Sequence, residues 1–433
     1  MPSAGPQIAI IGAGLSGLTL ALALHQRGLT NITIYEGRKE SLDIGGAIML
    51  SPNALKILDK LGVYSRLQPV GFEFESLDFR LSDNTPVDAF EFGSFAKYGY
   101  KALRVYRYEI IDSLHALLRE KEGITIQYGK KFAGVISEGE EGQQGVTWEF
   151  TDGSKASASF LVGADGIHSQ VRKHIYPELE PRFTGAIGVT AAVPTVQLNL
   201  PANYTTPVTI MNREHGAFVI SQQLRDGSEC LIGKQRRFGT DLSKQGWAEM
   251  LENKDWCIDF LQEGSENFPE IVKNAVSHIQ KDKINLWPFY VVPKLDTWVS
   301  QGSRIAILGD AAHAIPPTAG QGVNQAFEDV YTFAGVLSSL SKKHEIQQVA
   351  LADTLKKWQS GRQARIDKVL ELNGMIDKRR MPKIKNDAGG EEEEIVEFEL
   401  SWLYDVDFEQ MIAQWGVAPK VKTWSPCSMF KNH

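Results

Sequence analysis

Near its start the chain carries an uninterrupted apolar run, Ile8-Ala9-Ile10-Ile11, the mark of a short strand buried on both faces. A glycine-rich turn follows, then a Leu- and Ala-rich stretch over 15–27 that predicts a helix, with Gly28 placed to stop it. A second buried strand is predicted over 31–35 and ends beside Glu36, so the first forty residues read as β-α-β. Beyond the pair Gly45-Gly46, the pattern predicts a helix over 52–61 and alternating strands over 72–80 and 87–92. Residues 107–119 form an amphipathic helical pattern. Strands are predicted at 124–128, 145–150 and 158–162, joined by polar turns such as Thr151-Asp152-Gly153.

From 183 to 291 the pattern becomes β-rich, with one helical insertion over 246–261, and reads as a second domain on an antiparallel sheet. The buried-strand pattern returns at 304–308, followed by a long helix from about residue 323 and helical character over 349–377. The fold class is therefore α/β, a Rossmann-like domain with an antiparallel-sheet second domain and a C-terminal helical segment. The domain limits are 1–70, 101–182 and 295–345 for the first, 71–100 and 183–294 for the second, and 346–433 for the C-terminal region. Residues 378–394 carry opposite charge blocks around a Gly pair and read as a mobile surface loop.

Composition narrows the classes. With 433 residues, the chain has room for two or three domains at about 100–200 residues each. Apolar residues make up 42% and charged residues 23%, which argues against wholesale disorder. The formal charge of −7 argues against nucleic acid as a partner, since phosphate binding needs a basic surface. Cys230, Cys257 and Cys427 are widely spaced and form neither a disulfide framework nor a metal pair, pointing to a reducing compartment. No leader pattern and no long apolar span are seen, so the expected location is cytoplasmic.

Three motifs carry chemistry. Gly12-Ala13-Gly14-Leu15-Ser16-Gly17 matches G-x-G-x-x-G between a predicted strand and helix. Its glycines would allow a tight turn, close approach of a pyrophosphate, and close helix–strand packing. Glu36 follows 19 positions after Gly17, where a carboxylate can accept hydrogen bonds from ribose hydroxyls and disfavours a 2′-phosphate. The plain alternative is an ordinary glycine turn with a solvated glutamate. Gly163-Ala164-Asp165-Gly166-Ile167-His168-Ser169, with Arg172 close behind, follows one strand. Gly309-Asp310-Ala311-Ala312-His313 follows another and leads to Pro316-Pro317, Gly320-Gln321-Gly322 and Asn324. Aspartates at the ends of parallel strands sit where open α/β sheets bind ligands, although turn or capping roles would also account for them. His168 and His313 read as structural, without metal-ligand spacing.

Taken in this order, the motifs resemble the group A flavin monooxygenases, the para-hydroxybenzoate hydroxylase and salicylate-hydroxylase-like family with its fungal natural-product members. The resemblance spans roughly residues 8–340. It implies non-covalent FAD, a transient NADH or NADPH, and a flavin hydroperoxide that delivers one oxygen atom of O2 to an aromatic or related electron-rich molecule. It also implies that Gly12, Gly14 and Gly17 hold the pyrophosphate, Glu36 the adenosine ribose, and Arg107 the FAD phosphates and ribityl chain. Gly46 and Ala47 match the small-residue loop beside the flavin, and Asp165 the DG aspartate associated with both dinucleotides. Asp310 matches the ribityl-binding aspartate, Gly320, Gly322 and Val323 the loop at the pyrimidine edge, and Pro316 a position near the flavin face.

There are departures. Gly37 separates Glu36 from Arg38, where many members have the two charges adjacent. Thr190-Ala191-Ala192 and Gln222-Gln223 stand where some fungal members carry a Trp-Arg pair and a tyrosine. With no anchoring arginine in those strands, a bulky neutral substrate and epoxidation of an alkene or indole form the runner-up reading. A flavin reductase or halogenase and a non-catalytic FAD scaffold rank lower, since the W-x-W-x-I-P run is absent and the Asp310 and Gly320 motifs are intact. No catalytic base is named; Arg213 and His215 are candidates by location only, and a homodimer is left open.

Overall fold

In the computed structural model the described residues are 5–41, 46–139, 145–212, 214–341, 348–380 and 398–416. A five-stranded parallel sheet has the order β18-β12-β1-β2-β8, formed by β1 (Ile8–Ile11), β2 (Ile32–Tyr35), β8 (Ile124–Gln127), β12 (Phe160–Gly163) and β18 (Ile305–Ile307). Ile8 pairs with Phe160 on one side and Ile32 on the other, which explains why β1 lacks any polar position. The helix Leu15–Gln26 begins directly after β1 and ends at Gly28, whose φ of 85° lies in the left-handed region. Leu18, Leu20 and Leu24 on that helix are fully buried, each contributing about 1.5–3 kcal/mol relative to exposure.

A seven-stranded sheet has the order β17-β13-β16-β15-β14-β5-β6. It consists of β5 (Ser76–Leu81), β6 (Pro86–Glu91), β13 (Arg182–Pro194), β14 (Val208–Asn212), β15 (Gly216–Gln222), β16 (Glu229–Arg237) and β17 (Ile284–Val291). Strands β14 and β5 run parallel, drawing residues 76–91 to the edge of a sheet built mainly from 182–291. One face, with Val189, Ile210, Phe218, Ile220 and Ile232, packs against helices between 244 and 275. The predicted single helix over 246–261 is in fact two, Lys244–Glu252 and Lys254–Gln262, because Asn253 leaves helical geometry and its side chain caps Trp256 N.

Four strands passed unnoticed in the sequence. β3 (Ala47–Leu50), β4 (Phe72–Phe74) and β7 (Ala102–Tyr106) make a three-stranded sheet in the order β3-β7-β4. β9 (Phe132–Glu138) and β11 (Lys155–Ala158) flank β10 (Val146–Phe150) in another. Of these, β4 falls within a predicted strand, whereas β3, β7, β9 and β11 were not foreseen; they are short and paired with distant segments. The helices Gly322–Ser341 and Gln348–Arg380 follow the predicted pattern, and Lys378-Arg379-Arg380 lies on the second of them. The remainder of the expected charged loop, and Gly45, Arg213 and Cys427, lie outside the described residues. Leu372, Leu403 and Tyr404 pack with Phe74, Phe79 and Phe90, tying the C-terminal region to β4–β6. Among the described residues no helix is long and apolar enough to cross a membrane, and no acidic, His or Cys cluster could hold a metal.

Candidate functional site

The ends of β1, β2, β12 and β18 converge on a cleft of about 380 Å³. Gly12, Gly14, Glu36, Arg107, Asp165, Asp310 and Val323 all line it, so widely separated sequence positions become one surface. Gly17, Gly46, Ala47, Pro316, Gly320 and Gly322 do not line it. Gly17 supports the turn from behind: a Cβ there would stand 1.9 Å from Gly12 O and 3.3 Å from Ile10 Cγ2. Gly12 has φ 107°, and its own Cβ would meet Ala164 O at 2.5 Å. The turn thus lets the helix Leu15–Gln26 start close against two strands.

That helix has Gly14 as its N-cap, with no side-chain cap and no acidic residue in its first turn. Its free N–H groups and dipole favour an anion at the cleft. Arg107 adds a cation, with Nη2 4.0 Å from where a Cβ on Gly14 would stand; burial lowers its pKa, while Asp310 opposes this. Glu36 is half-buried and bound to the turn, accepting from Ala13 N and Arg38 N at 2.9 Å each. A carboxylate offers about four acceptor sites, so the two backbone contacts leave capacity for ribose hydroxyls.

Asp165 is a capping aspartate, as the plain alternative held. Its Oδ2 accepts from Gln170 N at 2.8 Å and Val171 N at 3.2 Å, at the start of the helix Gln170–Ile175. Its Oδ1, however, is buried without a partner, and burial pushes the carboxyl up despite the hydrogen bonds. Asp310 opens the helix Asp310–His313 and is exposed to the cleft. Protein surrounds it elsewhere, and this desolvation pushes its carboxyl up against the pull of His313 and Arg107. His168 lies at the cleft rim, where burial and Lys244 lower its pKa. His215 is taken up by the loop at Asn267, with Asn267 Nδ2 3.0 Å from His215 Nε2.

What holds the Asp310 turn was missed in the sequence. Asp329 accepts from Gly309 N at 2.9 Å, from His313 Nε2 at 2.5 Å and from Arg362 Nε at 2.7 Å. Beside it, Glu328 accepts from Asn53 Nδ2 at 2.7 Å, from Arg365, and from Arg362. Glu328, Asp329 and Arg362 are each fully buried. Asn324 Oδ1 accepts from Ser51 N at 3.0 Å, while its Nδ2 donates to Gly320 O at 2.7 Å and Met49 O at 3.1 Å, fixing the 320–323 turn to β3. Arg172 Nη1 donates to Ala311 O and Nη2 to Ile167 O, tying the second motif to the third. The repeated charge at 328, 329, 362 and 365 could have been noticed, but helix surfaces carry such residues routinely.

A family model described as an FAD binding domain matches residues 6–372. The chain belongs to that family. FAD is its cofactor, and the cleft suits it: Gly12 and Gly14 in its lining, uncapped helix N–H groups beside Arg107, and the unpaired Asp165 oxygen. A 3-amino-4-hydroxybenzoate 2-monooxygenase of Streptomyces platensis is 28% identical to this FAD-binding protein over 344 residues, covering 77% of this chain and 80% of the relative. A salicylate hydroxylase of Pseudomonas putida is 26% identical over 444 aligned positions, covering 94% and 93%. The solved structure of a salicylate hydroxylase substrate complex superposes with a TM-score of 0.74 at 22% identity, covering 96% of this chain and 99% of that one, which establishes the shared fold.

Proposed function

We propose that the protein hydroxylates a small aromatic compound where the cofactor cleft meets the seven-stranded sheet. It is an FAD-dependent monooxygenase. The reading is carried by one observation: Gly12, Glu36, Arg107, Asp165, Asp310 and Val323 share a single cleft. Relatives named for 3-amino-4-hydroxybenzoate, 6-hydroxynicotinate and salicylate support an aromatic substrate. Segments 1–70, 101–182 and 295–345 would serve the cofactor, 71–100 and 183–294 the substrate, and 346–433 would brace both.

When bound, FAD accepts reducing equivalents from NAD(P)H and activates O2 for transfer of one oxygen atom. The chain's own residues do the rest. The Gly12–Gly17 turn, the helix N-terminus and Arg107 hold the pyrophosphate, and Glu36 the adenosine ribose. Asp310 accepts from the ribityl hydroxyls, and Asp165 Oδ1 takes one further donor. Gly320, Gly322 and Val323 would form the turn at the pyrimidine edge, where backbone N–H groups at the start of the helix Gly322–Ser341 would stabilise negative charge. Gly46 and Ala47 would lie beside the ring, and Pro316 would stand near its reacting face and help exclude water.

The test is NAD(P)H consumption by the purified protein with aromatic acids, phenols, indoles and prenylated aromatics, with product masses recorded. The expected result is substrate-stimulated consumption with a gain of one oxygen atom, and product structure separates hydroxylation from epoxidation. Flavin-bound protein that consumes NAD(P)H but leaves every substrate mass unchanged would refute the oxygen transfer.

A further inference from the structure

The face of the seven-stranded sheet turned away from its helices carries an unusual set of polar groups. Phe218 and Ile220 on β15 point into the helical core, so Val219 and Ser221 point the other way. Thr209 pairs with Val219 and lies on that same face, and Gln223 continues it just beyond β15, with Gln223 N bonded to Glu229 O. Thr209, Ser221 and Gln223 are 1%, 0% and 2% exposed. The hydroxyl oxygens of Thr209 and Ser221 are both buried without a partner.

Arg104 reaches this face from β7. It is 4% exposed, and its Nη2 donates to Gln223 Oε1 at 3.0 Å. Its Nε is buried without a partner, and no ion pair neutralises it among the described residues. The carboxylate of the cluster, Glu229, is engaged by the hydroxyl of Tyr106. Gln223 Nε2 in turn donates to Tyr106 Oη at 2.7 Å, which fixes the amide so that its oxygen faces Arg104. Burial lowers the Arg104 pKa to about 10, still far above neutrality, so the guanidinium stays charged. A buried cation without a counter-ion is costly unless something supplies the anion.

The place is next to the expected chemistry. Arg104 pairs across the small sheet with Met49, two residues from Ala47. Gly46 approaches β16, its added Cβ falling 3.8 Å from Leu231 Cδ1, and Leu231 is the ladder partner of Ser221. Resting on the monooxygenase reading above, we propose that Arg104, oriented by Gln223 and flanked by the Ser221 hydroxyl, binds the carboxylate of an aromatic acid substrate. Gln223 belongs to the pair that stands where some fungal members carry a tyrosine, and the lack of an anchoring arginine in those strands pointed to a neutral substrate. The missing charge is supplied from a different strand, in another sheet. A guanidinium fork matches a carboxylate with two parallel hydrogen bonds, and the hydroxyl gives a third donor.

The test uses the FAD-loaded enzyme and matched pairs of salicylate with salicylamide, 4-hydroxybenzoate with 4-hydroxybenzamide, and 6-hydroxynicotinate with its amide. Binding is read from the perturbation of flavin absorbance. The wild type is expected to bind at least one acid about tenfold or more tighter than its amide. R104Q should lose that preference while retaining FAD, and R104Q/Q223R, which moves the cation onto the sheet, should recover part of it. If R104Q fails to hold flavin, R104K carries the test: charge kept and fork lost, it should weaken acid binding more than amide binding. Loss of acid and amide binding to the same extent would show a merely structural arginine. Equal binding of acid and amide by the wild type, binding of no acid, or an undiminished preference in R104Q would also overturn the proposal. Each of those outcomes leaves the flavin reading intact, whereas a purified protein that takes up no flavin would defeat the underlying reading instead.

Discussion

Glu36 does two things with one side chain. Two backbone N–H groups from the turns on either side bind its carboxylate, which fixes its position, and the remaining lone pairs stay open to the cleft. The spacing from Gly17 made Glu36 legible in the sequence; its bond to Ala13 N, which makes it part of the turn, was not. Gly17 shows the opposite case, a residue whose role is to be absent in volume. In G17A the new Cβ would fall 1.9 Å from Gly12 O, and backbone cannot yield as a flexible side chain would. The expected outcome is a loss of stability of about 1–3 kcal/mol, as for overpacking, and weaker FAD retention. Urea unfolding and the flavin-to-protein absorbance ratio after gel filtration check both.

At the scale of elements, legibility followed the range of the determining contacts. The helix over 107–119 was read correctly because its buried residues, Ile110, Ile111, Leu114 and Leu118, recur at helical spacing within one segment. β3 and β7 were not, because Ala47–Leu50 and Ala102–Tyr106 become strands through pairing with each other, 53 to 59 residues apart. The helical insertion was read as continuous since its apolar pattern runs through Asn253, which turns out to cap the second of two helices. N253A should therefore cost about 1 kcal/mol, visible as a lower urea midpoint with an unchanged slope. A slope change would mean that the two helices had merged or come loose.

Across the whole molecule, the buried group at Glu328, Asp329, Arg362 and Arg365 joins three distant parts. It links the long C-terminal helix, the start of the Pro52–Lys60 helix through Asn53, and the turn that presents Asp310. Burial raises the Glu328 carboxyl, but Arg365 and Arg362 outweigh it and hold it at about 2, against 4.5 as the ordinary value. A depressed carboxyl stabilises the fold fully above its unfolded pKa, and that contribution is lost as pH falls from about 4.5 toward 2. E328Q should be less stable at pH 7 by about 3–5 kcal/mol, since it leaves buried arginines uncompensated. Its stability should also fall less steeply than the wild type's as pH drops through that window, measurable by urea unfolding at stepped pH. An unchanged steepness would place the acid sensitivity elsewhere.

The sequence by itself determined the α/β class, the β-α-β start, the order of the three motifs and, within them, Gly12, Gly14, Glu36, Asp165 and Asp310 as residues of the cofactor cleft. Those features depend on local periodicity and on residue types that a glycine turn or strand-end carboxylate requires over short spans. Only the tertiary structure decided that Asp165 caps a helix with one oxygen to spare, that Asp329 holds the Asp310 turn, and that Arg104 lies buried against Gln223. Such placements arise from pairing and packing between segments far apart in the chain. The environment that turns an arginine on a short strand into an unpaired cation facing another sheet exists only once both sheets are folded together.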